Sequence, residues 1–102
     1  MLSRATIDFV VTERAGDRIR SFVASAGYPA MAGLLYGRDE TSGEEGWRVG
    51  LYDAKEIEQT NFGAIVVVLD RMELVVAQPT VMKQLAGMKL DWDGAHYRVT
   101  PK

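Results

Sequence analysis

The sequence predicts a small α+β domain, and three observations predict it. A stretch with helical periodicity covers residues 12–26, short apolar segments separated by glycines and polar residues follow it, and an Asp-Gly pair stands between two alternating segments near the C-terminus. We expect one amphipathic helix over 12–26, one short helix over 79–86 and about six or seven strands in mixed pairing. The 102 residues match the size of one domain, spanning 1–102.

The first helix has both a start signal and a stop signal. Thr12 can accept a hydrogen bond from a free amide of the first turn, and Glu13 and Asp17 place negative charge near the positive end of the helix dipole. Gly27 is expected in a left-handed conformation after the last turn, and Pro29 prevents the helix from resuming. The spacing of five apolar residues predicts a buried stripe that consists of Ala15, Ile19, Phe22, Val23 and Ala26.

Alternating or continuous apolar residues predict the strands, which we place at 6–11, 31–36, 47–52, 64–69, 73–77, 88–92 and 95–100. The polar stretch 37–46 contains several glycines and is expected to be the end of a hairpin. The run 64–69 is apolar throughout, which is typical of a strand that is buried on both faces. The stretch 53–61 is polar, and its pattern does not distinguish between a helix, a strand and a loop.

Asp93 and Gly94 predict a tight hairpin between the last two strands. A two-residue loop of type I′ needs positive φ at both positions, and an Asp-Gly pair adopts it at low cost. The cross-strand pairs that follow from this register are Trp92 with Ala95, Asp91 with His96, and Leu90 with Tyr97. One face of the hairpin is then apolar and the other is polar.

The composition excludes several classes of function. The chain has no cysteine, which excludes disulfides, thiol nucleophiles, thiolate zinc sites and iron–sulfur clusters held by its own cysteines. A net charge of −2 gives no basic patch, so we expect no nucleic-acid partner. The longest apolar run, 64–69, is much shorter than the roughly 18 residues of a membrane span, so we expect no membrane partner. The first residues lack a signal-peptide pattern, which predicts a cytoplasmic location.

Two longer segments carry a family resemblance. Residues 11–27 contain the predicted helix, which is capped by Thr12 and has Ile19-Arg20 near its middle. Residues 73–92 contain an apolar strand, a proline, a short helix that ends in Leu85-Ala-Gly87, and a strand with Leu90-Asp-Trp92. In this order the two segments resemble the HesB-like, or A-type, iron–sulfur cluster biogenesis domain. Two shorter segments that also resemble this family are Arg48-Val-Gly-Leu51 and Val99-Thr-Pro101.

The resemblance implies a compact α/β sandwich with a barrel-like sheet. Cluster carriers of the family have one cysteine in a Gly-Cys-Ser-Gly loop after the central strand, and a Cys-Gly-Cys tail. In this chain residues 53–63 stand at the loop position, and none of the cluster ligands is present. We therefore expect a non-catalytic HesB-like domain without a cofactor, which acts as an accessory or binding module rather than as an enzyme.

A second hypothesis is a metal site, a ligand site or an enzyme built from carboxylates and histidine. Asp53, Glu56 and Glu58 lie where the family presents its first cysteine, and such oxygen ligands could hold Mg²⁺, Ca²⁺ or ferrous iron if they converged. His96, the only histidine, could act as a base or a ligand with help from Asp91. The simpler interpretations are a solvated loop for the carboxylates and a surface cross-strand pair for the histidine.

We also expect a homodimer, and another protein is the alternative partner. A small β-rich domain exposes strand edges, and such an edge could form a homodimer. Phe62, Trp47 and Trp92 are candidate anchors because aromatic residues are enriched among interface hot spots. For Trp92 we expect packing over the main core instead.

Overall fold

The structure is a computed structural model that describes residues 3–38, 40–60 and 63–102. Within these ranges the strands are β1 (Ser3–Ala5), β2 (Phe9–Val11), β3 (Ala30–Arg38), β4 (Glu45–Asp53), β5 (Ile65–Val68), β6 (Glu73–Val76), β7 (Met88–Trp92) and β8 (Tyr97–Pro101). The helices are α1 (Glu13–Ala24), α2 (Ala54–Thr60) and α3 (Met82–Leu85), and a 3₁₀ turn (Pro79–Val81) leads into α3. The α+β class is confirmed, and the short helix lies within its predicted range 79–86. No helix in the described ranges is long and apolar enough to cross a bilayer.

Helix α1 begins where the sequence predicts. The hydroxyl of Thr12 accepts a hydrogen bond from the N–H of Ala15 at 3.4 Å. The helix ends at Ala24, two residues before the predicted end at 26, and Gly27 has the expected positive φ of 76°. Phe22 is 42% exposed, so the predicted buried stripe is wrong at this position. At this turn the helix lies over a cleft lined by Val49 and Tyr97 rather than over the closed core.

All eight described strands form one sheet in the order β1-β5-β6-β3-β4-β8-β7-β2. Its two edges, β1 and β2, follow one another in the chain with only residues 6–8 between them. Phe9 is four residues after Ala5, so their Cα atoms can be at most about 14 Å apart. In a flat sheet of eight strands, the two edge strands would be about 34 Å apart. The sheet therefore curves until its edges approach each other. We call the gap between β1–β5 and β2 the seam.

The predicted strand 6–11 is correct only at 9–11, which is β2; residues 6–8 are a link, and β1 at 3–5 was not predicted, so the described strands number eight rather than the predicted six or seven. β1 pairs in parallel with β5, and β2 pairs in parallel with β7 on the opposite edge of the sheet. The chain therefore leaves one edge at Ala5 and joins the other edge at Phe9. Long-range pairing determines the bounds of these two short strands, because each of them hydrogen-bonds to a strand from a distant part of the sequence.

The hairpin predicted around residues 37–46 is confirmed. β3 and β4 pair antiparallel over their full lengths, with Gly33 opposite Gly50. The run 64–69 is also largely buried on both faces, as predicted. Val67 belongs to the main core on the concave side, and Val66 packs with Ile57 of α2 in a second cluster on the outer side. Helix α2 thus covers part of the outer face, in a stretch whose secondary structure the residue pattern left open.

The last hairpin is shifted from its predicted register by two residues. The observed pairs are Trp92 with Tyr97, Asp91 with Arg98, and Leu90 with Val99. The carboxylate of Asp93 accepts the N–H groups of Ala95 (2.8 Å) and His96 (2.7 Å), which places both residues in the connection. Because side chains alternate with a period of two, this shift leaves every paired residue on its predicted face. His96 is removed from the strand and from its predicted pairing with Asp91.

Candidate functional site: a groove at the seam

The carboxylates of the 53–58 region serve local structure. Asp53 ends β4, and its Oδ1 accepts the N–H groups of Lys55 (2.9 Å) and Glu56 (3.2 Å) at the start of α2. Glu58 lies 3.3 Å from Nη2 of Arg4, whose Nε binds Glu73 at 3.0 Å. The side chain of Glu56 is exposed. Of the three candidate ligands, Asp53 therefore stabilises the start of α2, and Glu58 takes part in an ion-pair network.

His96 lies far from these carboxylates. It is exposed in the β7–β8 connection, and its neighbour Tyr97 is opposite Trp47 of β4. Asp53 is six residues farther along the same strand, which corresponds to about 20 Å. Within the ranges that the structure describes, no three histidine or carboxylate side chains are grouped closely enough to hold a metal ion. The structure does not bring the four candidate residues together.

Asp91, the predicted helper of His96, is bound elsewhere. Its carboxylate accepts two hydrogen bonds from Arg14 (2.7 and 2.6 Å) and one from the hydroxyl of Thr12 (2.6 Å). These contacts, with Arg14 as the largest cause, hold the pKa of Asp91 well below its usual range. Asp91 therefore fastens β7 to the start of α1, and it is not available as a partner for a catalytic histidine.

Aromatic residues form a row across four neighbouring strands. Tyr36 is opposite Trp47, Trp47 is opposite Tyr97, and Tyr97 is opposite Trp92. The guanidinium carbon of Arg18 lies 3.7 Å from the ring centre of Trp92, so α1 covers the last ring of the row. Trp47 packs against the main core, and Trp92 is half-buried between Arg18 and Tyr97. The third predicted anchor, Phe62, lies outside the described residues.

A groove with a volume of about 720 Å³ runs along the seam. Its lining comes from three parts of the chain: residues 6–7 and 9–12 of the linker and β2, the first two turns of α1, and residues 68–72 at the end of β5 and in the β5–β6 turn. This volume falls within the roughly 300–1,000 Å³ of typical ligand-binding clefts. The groove therefore exists because the two edges of the sheet approach each other but do not pair in the described ranges.

The floor of the groove is apolar and continuous with the main core. Phe9 is a member of that core, and four partly buried side chains of the lining pack against it: Ile7, Val11, Leu69 and Met72. Two valines on the flanks are exposed, Val10 at 44% and Val68 at 36%. Both point outward because their strand neighbours Phe9 and Val67 point into the core. An occupant of the groove would cover apolar surface that is now in contact with water.

Charges of both signs surround this floor. Glu13 and Arg20 lie on the α1 side, and Asp70 and Arg71 lie on the β5–β6 turn. A Cβ built at Gly16 would be 3.2 Å from Nη1 of Arg20, so the glycine lets the guanidinium lie against the helix beside the groove. Arg20 also binds Asp17 on its own helix. Each side of the groove thus carries one carboxylate and one guanidinium.

Main-chain groups at strand edges also border the groove. β2 pairs with β7 on one side only, and its outer edge faces the seam. The N–H of Thr12 donates to the carbonyl of Leu90 at 2.9 Å, and since successive N–H groups alternate in direction, the N–H of Val11 points toward the seam. On the other side, β1 pairs with β5 only as far as Val67, so Val68 extends beyond it.

The sequence patterns did not predict this groove, although two signals were present. Three consecutive apolar residues, 9–11, cannot all face inward in a strand. Val10 therefore had to face away from the core, where it is either covered by another element or exposed to solvent. The same holds for Val68 in the apolar run 64–69. What the sequence does not show is that these two valines, 58 positions apart, flank one cleft.

Comparison of the sequence with models of known protein families gives no match, and comparison with curated proteins gives none either. The resemblance of residues 11–27 and 73–92 to the A-type domain therefore stays a prediction from the residues. The site from which a function can be inferred is the groove at the seam.

Proposed function

We propose that this chain is a non-catalytic, HesB-like protein-binding module and that the groove at the seam is its binding site. The observation that carries the proposal is the construction of the groove, in which an apolar floor joins the main core and charged residues surround it. An apolar patch with a polar rim is typical of a surface that binds another molecule. Such a role needs no cysteine and no bound cluster.

The use of the titratable groups supports a non-catalytic role. Asp91 is bound by Arg14, and Asp93 by Arg98, and both contacts lower the pKa of the carboxyl group. Glu58 is bound by Arg4. These side chains stabilise connections between elements, whereas a general acid or base needs a pKa close to the working pH.

The HesB-like part of the proposal rests on two supports. One is the order and spacing of the two matched segments, 11–27 and 73–92. The other is the curved sheet of mixed strands, which agrees with the barrel-like sheet that the resemblance implies. The proposal concerns a fold shared with cluster carriers and a function that differs from theirs, because the thiolate ligands are missing.

The binding site is tested with groove variants. Val10→Arg and Val68→Arg place charge on the two flanks of the groove at exposed positions, and Tyr28→Arg is a control because Tyr28 is exposed and is not part of the groove lining. The wild-type chain is immobilised to isolate a partner, which is then purified and titrated against each variant by calorimetry. We expect the wild type and the control to bind alike and the groove variants to bind at least about tenfold more weakly.

Three outcomes would contradict this proposal. A purified partner that binds the groove variants as tightly as the wild type would show that the site lies elsewhere. A chain that retains no partner protein would contradict the role of a protein-binding module. Anaerobic reconstitution with iron and sulfide should leave the protein without a stoichiometric visible absorption band, and a robust band with bound sulfide would show that the chain is a cluster carrier after all.

A further inference from the structure

We propose that the groove takes an extended segment of a partner protein, which adds as a strand along the outer edge of β2. This inference rests on the proposed function, since it names the kind of partner and the mode of binding for the same site. Three features of the groove carry it: the free main-chain edges, the apolar floor and the arrangement of the charges.

The main-chain edge favours a peptide over an apolar small molecule. The N–H of Val11 points toward the seam, where no described strand pairs with β2. A strand that lies beside β2 would supply a carbonyl for this N–H and N–H groups for the outward carbonyls of the edge. Hydrogen bonds of this kind give strand addition its affinity, and pockets for alternate side chains give it specificity.

The apolar floor favours a segment with apolar residues at every second position. In an extended chain, alternate side chains point to opposite sides. One set would contact Ile7, Leu69 and Met72 on the floor. The other set would point outward between Val10 and Val68. Because β1 and β2 are each only three residues long, the edge alone offers few hydrogen bonds, and the contacts with the floor must supply part of the affinity.

The charges favour a segment that carries both signs. Glu13 and Arg20 are seven residues apart on α1, which corresponds to about 10 Å along the helix axis. An extended chain covers this distance in about three residues, and charged residues on the same face of the segment, four positions apart, span about 13 Å, which their long side chains can adjust to about 10 Å. A basic residue could therefore meet Glu13 while an acidic residue farther along the segment meets Arg20, whose guanidinium has donors left beside its contact with Asp17. A segment with charges of one sign would meet a like charge on each side.

A second copy of the chain fits the groove less well. Every described strand is already part of the sheet, so another copy offers only the edges of β1 and β2, which are three residues long each. The groove is also concave, and two concave surfaces related by a two-fold axis would leave both floors uncovered.

A synthetic peptide tests the mode of binding. The probe is acetylated and amidated and has the sequence Thr-Lys-Val-Thr-Val-Glu-Thr, and its control has the same composition in the order Thr-Lys-Val-Val-Thr-Glu-Thr. Backbone amide shifts of the ¹⁵N-labelled wild-type chain are followed during titration. We expect saturable shifts at Val10, Val11 and 68–72, a control that binds at least about tenfold more weakly, and weaker binding of probes in which Lys replaces Glu or Glu replaces Lys.

N-methylation separates strand addition from other modes of binding. Methylating the peptide amides that face β2 should abolish the shifts, whereas methylating the alternate set should not abolish them. If both methylated forms bind as tightly as the unmodified probe, strand addition is overturned. If Val10→Arg also loses binding, the groove is still the binding site. No shifts at the groove with any probe would overturn the peptide proposal even if the partner titration succeeds. Concentration-dependent shifts of the same residues without peptide, together with a sedimenting dimer, would make a second copy the occupant and also overturn it.

Discussion

The guanidinium of Arg14 binds the carboxylate of Asp91 through two hydrogen bonds, from Nε to Oδ1 at 2.7 Å and from Nη2 to Oδ2 at 2.6 Å. The two residues are 77 positions apart in the chain. Thr12, which caps α1, donates its hydroxyl to the same carboxylate. One carboxylate on β7 thus holds the start of the helix that lines the groove.

Replacing Asp91 with asparagine should remove a pH-dependent part of the stability. The pKa of Asp91 in the folded chain lies below the ordinary value of about 4, so folding favours the charged form. This stabilisation is present above the ordinary pKa and is lost as the pH falls through the folded pKa. We expect Asp91→Asn to unfold more easily than the wild type at pH 7, with a difference that shrinks from about pH 5 downward.

Urea unfolding at several pH values measures this effect. Glu40→Gln is the control, because Glu40 is exposed in the β3–β4 connection, and it should follow the wild type throughout. The unfolding free energy is plotted against pH for Asp91→Asn and for the wild type. Parallel curves would contradict the role assigned to the carboxylate.

Gly33→Ala should destabilise the chain. A Cβ at Gly33 would overlap the ring of Tyr52 at Cε2 and Cδ2 and would lie 3.3 Å from the carbonyl oxygen of Val75. Because a ring on one side and a backbone on the other limit relaxation, we expect a loss of about 1–3 kcal/mol. Gly46→Ala in β4 is the matched control, since its Cβ would meet no atom within 4 Å. Denaturant midpoints compare the two, and equal stabilities would show that Tyr52 moves aside freely.

Ile57→Ala should loosen α2 from the outer face of the sheet. Ile57 is 2% exposed and packs with Val66 and Val75 in the second cluster. Its truncation leaves a cavity and should cost about 2–4 kcal/mol. Hydrogen exchange of the α2 amides should accelerate more than that of β7. The control is Gln59→Ala on the exposed side of the helix, and an equal effect of the two substitutions would mean that α2 does not depend on this contact.

Arg18→Ala should weaken the packing of α1 on the aromatic row. The guanidinium carbon lies 3.7 Å from the ring centre of Trp92, a contact worth about 0.5–1 kcal/mol at a partly exposed site. In a Trp47→Phe background the emission of Trp92 alone should shift when the guanidinium is removed, and Arg18→Lys should retain part of the original spectrum. Emission and stability that stay unchanged in Arg18→Ala would show that the cation does not rest on the ring in solution.

Features encoded within a few residues could be predicted from the sequence. The cap at Thr12 and the positive φ at Gly27 bound α1, and the glycine-rich stretch 37–46 marks a hairpin, because each signal acts on its immediate neighbours. Helix α2 was not predicted, because Ile57 is its only fully buried described residue and one apolar residue shows no period. The predicted register of β7 and β8 was wrong by two residues, because the two registers place the same side chains on the same faces and the hydrogen bonds of Asp93 decide between them.

The sequence by itself determined that this chain has no thiolate with which to hold a cluster, since a missing side chain is missing in every fold. Only the tertiary structure decided where its groove lies. The step from Ala5 to Phe9 crosses from one edge of the sheet to the other, because β1 pairs with β5 and β2 pairs with β7, both far away in the chain. Pairing between distant strands depends on the whole packed sheet, so no local pattern in residues 6–8 could reveal that the two edges would meet there and leave an apolar floor open between them.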